Sequence, residues 1–127
     1  MKADFIIVHA PADLDRANIL HKQLTEYGYI GTVAEKDCTD QRLDNVRHVL
    51  LCITKLFNDD GFIELKKMVT RKWLKGRAFR INPVYLDKTI NVEKKAESHF
   101  RGLMQFTGFY HYSKFFETDV KTEFEKY

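Results

Sequence analysis

Two short runs constrain the fold of this 127-residue chain more than anything else in it. Phe5-Ile6-Ile7-Val8 and Val49-Leu50-Leu51-Cys52-Ile53 are apolar at every position, with no alternation between a dry and a wet face. A strand that buries one side alternates, whereas a strand covered by helices on both sides does not. Both runs therefore predict central strands of a parallel sheet. Parallel neighbours need crossover connections, and those are usually helical.

The segments between the runs supply the helices. Leu14, Ala17, Leu20, Leu24 and Tyr27 recur at helical spacing, with Arg16, Lys22 and Glu26 on the other side. Asp13 is the expected N-cap, and Gly28 stands where a left-handed C-terminal cap belongs. A second helix is predicted from Phe62, Leu65, Met68, Val69 and Trp73 on one stripe, closed by Gly76. A third places Phe116, Val120, Phe124 and Tyr127 on one face. Residues 29–34 read as a short second strand, 79–86 as a fourth carrying Asn82 and Pro83, and 104–110 as a fifth, edge strand. Residues 91–98 are charged and fit a surface helix or a loop. Between strands two and three, residues 42–45 leave room for barely one helical turn. The alternation predicts a three-layer α/β sandwich with right-handed crossovers.

Composition sets the outer limits. With 44% apolar and 13% aromatic residues the chain can fill the core of one domain, and it is too short for two. A net charge of +3 is no footprint of obligate nucleic-acid binding. Two cysteines, Cys38 and Cys52, supply neither a disulfide framework nor a four-cysteine zinc site, and the histidines share no metal-ligand spacing. No apolar run approaches the roughly 20 residues of a membrane span, and the first residues do not read as a secretory signal. The expectation is a soluble, cytoplasmic domain without metal or cofactor.

In a doubly wound sheet, ligands bind at the carboxyl ends of the strands. Those ends carry His9-Ala10-Pro11, Glu35-Lys36-Asp37 and Thr54-Lys55. Neither GxGxxG nor GxxxxGK[ST] is present, which argues against a Rossmann dehydrogenase and a P-loop NTPase. The acidic residues that close the first strand of a phosphoacceptor receiver are replaced by His9 and Ala10.

In order along the chain, these features resemble the Toll/interleukin-1 receptor (TIR) domains. The first box of that family is matched by Asp4-Phe5-Ile6-Ile7-Val8-His9-Ala10-Pro11-Ala12-Asp13. Its second box, opening the BB loop, is matched in part by Glu35-Lys36-Asp37. The third strand, the aromatic that follows it and the Glu-Leu pair on the next helix are matched by Val49-Leu50-Leu51-Cys52-Ile53, Phe57 and Glu64-Leu65. Phe115-Phe116 resembles the third box. Within the family the sequence is most similar to TRIF/TRAM-type adaptors, through Phe5-Ile6-Ile7-Val8-His9-Ala10, Ala12-Asp13 and Ala34-Glu35 ahead of Cys38. Two departures stand out. Asp40-Gln41 replaces the usual Pro-Gly of the BB loop, and Asp60-Gly61 replaces the usual Trp-Cys ahead of the conserved-type glutamate, Glu64.

The resemblance implies a flavodoxin-like sandwich, a five-stranded parallel sheet with helices on both faces and the second helix shortened, as one module of a longer protein. It also implies two functions. One is a scaffold in innate immune signalling that self-associates or binds other TIR domains through a BB loop formed here by Glu35, Lys36, Asp37, Cys38, Thr39, Asp40 and Gln41. The other is cleavage of NAD as a substrate, with Glu64 catalytic and His9, Ala10 and Pro11 lining the pocket. A carboxylate at the ribose would stabilise the oxocarbenium-like transition state. Against turnover stand the missing tryptophan before Glu64 and the lack of an arginine after strand one.

Outside the resemblance, the basic stretch with Lys66, Lys67, Arg71 and Lys72 reads as a solvated helix face or a basic interface. It could meet Asp37, Asp40, Asp44 or Asn58-Asp59-Asp60 of another copy in a head-to-tail contact. Nucleic acid is the weaker partner, since no aromatic platform accompanies the basic run.

Overall fold

The computed structural model describes residues 2–34, 43–55, 60–76, 79–88 and 107–126, with residues 60–65 as backbone only. Five strands, β1 (Ala3–Val8), β2 (Gly31–Val33), β3 (Val46–Ile53), β4 (Arg80–Tyr85) and β5 (Phe109–Tyr110), form one sheet in the order β2-β1-β3-β4-β5. Every neighbouring pair is parallel. A 3-10 turn (Pro11–Asp13) and helices α1 (Leu14–Glu26), α2 (Asp60–Gly76) and α3 (Phe116–Lys126) complete the described elements. This is the flavodoxin-like order of a doubly wound α/β domain.

Both continuous apolar runs are central strands. Phe5 and Ile7 on β1 and Leu50 and Cys52 on β3 face α1 and α3, packing on Leu20, Leu24, Phe116, Val120 and Phe124. Ile6 and Val8, with Val49, Leu51 and Ile53, face the opposite layer, where Val69, Met68 and Trp73 of α2 meet them. Full burial stabilises each such side chain by about 1.5–3 kcal/mol, which is why neither run needs a polar face.

Local chemistry sets the element ends. Gly28 ends α1 with φ of 100°, in the left-handed region where a side chain strains the backbone. Pro83 sits inside β4 because β5 pairs only with Val84 and Tyr85, leaving the imino acid outside that ladder. Leu14, expected on the buried stripe, is 48% exposed, because the helix turns it away from the sheet before Ala17 begins the packed row. β5 is shorter than the sequence predicts. Of the single helical turn expected between β2 and β3, residues 43–45 are described and form a turn with Leu43 buried, while the loop or helix at 91–98 and residues 104–106 lie outside the described residues, as do Cys38, Phe57 and Tyr127.

Candidate functional site

The chain leaves β1 toward β2 on one side and returns to β3 on the other, so the switch point of this sheet lies between the carboxyl ends of β1 and β3. The residues brought there are His9, Ala10 and Asp13 from the β1 side and Thr54 and Lys55 from the β3 side. Asp13 occupies the N-cap position of α1 but makes no side-chain capping bond. Its carboxylate instead accepts a hydrogen bond of 2.6 Å from Thr54 Oγ1, and both side chains are buried. The N-cap reading is corrected on this point: a buried hydroxyl at the end of β3 competes for the carboxylate and wins.

One turn into α1, Arg16 extends the same set of contacts to β4. It donates to Asp87 Oδ1 at 2.7 Å and to the Leu86 carbonyl at 3.1 Å, while Asp87 Oδ2 accepts from the Lys55 backbone N–H at 3.4 Å. The Arg16 hydrogen bond holds the Asp87 carboxyl below the usual carboxylate range, and the guanidinium is raised in turn. The loops after β1, β3 and β4 are thereby tied together by charge-assisted bonds. Nearby, burial first, then the Asp13 charge, push the Cys52 thiol up to about 12. A thiol so placed is a core group and not a nucleophile.

His9 donates from Nδ1 to the Ala10 carbonyl at 2.8 Å. Its Nε2 is buried and has no hydrogen-bond partner among the described residues. His9 is therefore hydrogen-bonded at one ring nitrogen only among the described residues. Of the other residues in the expected NAD pocket, Ala10 is buried and Pro11 is exposed. Glu64 lies in α2, one turn from Asp60, and its side chain is outside what the structure describes. Glu35, Lys36, Asp37, Cys38, Thr39, Asp40 and Gln41 all lie outside the described residues.

The basic stretch divides. Lys67 and Arg71 are exposed, but Lys66 is buried, and that burial lowers its pKa, so it does not belong to a solvated basic face. Lys72 pairs with Asp44 at 3.0 Å within the same chain. Asp44, one candidate for a contact with another copy, is carried to Lys72 of α2 by the turn leading into β3.

A further surface lies at β5, where Tyr110 and Tyr112 read from sequence as sheet-edge packing or, less favoured, a partner groove. Tyr85 stacks on Tyr110 with centroids 5.1 Å apart, and Tyr110 meets Tyr112 at 5.9 Å. Tyr110, Tyr112 and Phe115 are 46%, 42% and 57% exposed, which makes an aromatic edge open to solvent. Lys88 lies over the Tyr112 ring and Lys114 over that of Phe115. The aromatic pair expected as the third box thus splits, with Phe116 in the core and Phe115 outside.

Among the described residues, no group of three His, Cys, Asp or Glu side chains converges as a metal site, and no helix is long and apolar enough to cross a membrane. Compared with models of known protein families and with curated proteins, the chain matches none.

Proposed function

We propose that this chain is a TIR-like association module, which acts in cytoplasmic innate immune signalling by binding other TIR domains, of its own or another kind. The resemblance of its ordered motifs supports that reading, and the flavodoxin-like sheet order agrees with it. The observation that carries it is the aromatic edge. Three exposed rings in and just after the short edge strand β5, two of them in contact and two with a lysine laid over them, have the aromatic enrichment of protein-binding surfaces.

The test is association measured by sedimentation over a range of concentrations. The wild type is expected to self-associate or to bind a TIR-domain partner. A Tyr110→Ser, Tyr112→Ser, Phe115→Ser variant should lose that binding, and charge reversal at Asp37 and Asp40 should weaken it. If neither set of changes alters binding, the surfaces are wrongly assigned. Release of nicotinamide from NAD by the wild type, abolished in Glu64→Ala, would replace the scaffold with an NAD hydrolase.

A further inference from the structure

Helix α3 rests on a histidine at each end. Under its last turn, His48 of β3 is fully buried and stacks on Phe124 with centroids 4.3 Å apart and planes 17° off parallel. Asn82 fixes the tautomer. Its Nδ2 donates to the Thr107 carbonyl at 3.0 Å, so its Oδ1 accepts from His48 Nδ1 at 2.8 Å. His48 Nε2 is buried with no partner among the described residues. Under the first turn, His111 meets Phe116 edge-on at 5.0 Å. Gln23 donates from Nε2 to the Tyr27 hydroxyl, which leaves its Oε1 to accept from His111 Nε2 at 2.6 Å.

We propose that α3 is a proton-released clasp, undocked from the sheet when His48 and His111 take up protons. A proton on His48 Nε2 would create a buried N–H without an acceptor among the described residues, beside the Phe124 ring, which itself packs on Phe5 and Phe109. Undocking gives both rings water. The charged neighbours come from every packed element. Desolvation lowers the His48 pKa and outweighs the Asn82 hydrogen bond, Glu123 on α3 and Asp4 on β1, which favour the charged ring, while Arg80 on β4 opposes it. Around His111 stand Arg16 and Tyr27 on α1 and Tyr85 on β4, with Glu117 of α3 beside Tyr27. Desolvation first and Arg16 second lower His111. Because both folded-state pKa values lie below the ordinary one, docking is fully stabilised above about pH 6.5 and weakens as pH falls below it.

Amide exchange in α3, corrected for the intrinsic pH dependence, tests the clasp. Between about pH 7.5 and 5.5 the open population is expected to rise about tenfold for each histidine that titrates only when undocked. Exchange in α1 and β3 should stay level, and the rise in α3 should shrink in His48→Gln and again in the double variant with His111→Gln. An unchanged rise in these variants, or an equal rise throughout the domain, would overturn the proposal. Should the variants fail to fold, the ring nitrogens of the wild type decide by NMR titration. A His48 that charges near pH 6.5 while α3 stays protected would also sink it.

Discussion

Thr54 donates to Asp13 across 2.6 Å with both side chains buried, and this one bond fastens the loop after β1 to the end of β3. Removing the hydroxyl strands a buried carboxylate. Thr54→Val is therefore expected to cost about 1–3 kcal/mol, and Thr54→Ser clearly less, in urea unfolding. Equal losses in the two variants would show that the hydroxyl is not what matters.

The Arg16–Asp87 pair calls for a smaller number, because the side chains are 39% and 23% exposed. After discounting for screening, Arg16→Gln should cost about 1 kcal/mol or less at neutral pH. Its pH signature is more telling. The folded-state pKa of Asp87 is depressed, so the stabilisation is complete above the ordinary carboxylate value near 4 and is lost as pH falls through the folded value. The difference between wild type and Arg16→Gln should therefore narrow in acid, as thermal melts at stepped pH would reveal.

Much of this fold is legible in the sequence because its signals are local. The unbroken apolar runs announce strands with two covered faces, Gly28 marks the end of α1, and helical spacing finds Val69, Val120 and Phe124. The site is less legible because its contacts are not local. Asp13 and Thr54 are 41 residues apart, and Arg16 and Asp87 are 71 apart. A carboxylate just before a helix looks like a cap until the sheet brings a buried hydroxyl beside it. His48 likewise looks like an isolated histidine ahead of an apolar strand, and only the register with Phe5 and the return of α3 put aromatic rings around it.

Two glycines should respond differently to alanine. Gly28 has open space around a missing Cβ but a left-handed backbone, so Gly28→Ala should cost about 1 kcal/mol from strain alone. At Gly31 the added Cβ would press on the carbonyl and ring of Phe5, so β2 must shift from β1. Gly31→Ala is expected to be the more destabilising of the two and to raise amide exchange in β2. A reversed order would mean that β2 contributes little.

Cys52 provides a clock for opening of the core. With a fully buried thiol pushed up to about 12, it should resist a thiol reagent at neutral pH until the domain opens. Labelling of Cys52, followed by mass spectrometry of its peptide, should track the urea transition. Rapid labelling without denaturant would contradict the packing of β3.

The shared face of α1 and α3 also bears on how the domain is made. α1 emerges from the ribosome about 90 residues before α3, the helix that covers the rest of Phe5, Ile7 and Leu50. During translation the nascent chain therefore carries a half-covered sheet, an exposed apolar surface of the kind chaperones bind. Completion of the core waits for Phe116, Val120 and Phe124 to clear the exit tunnel.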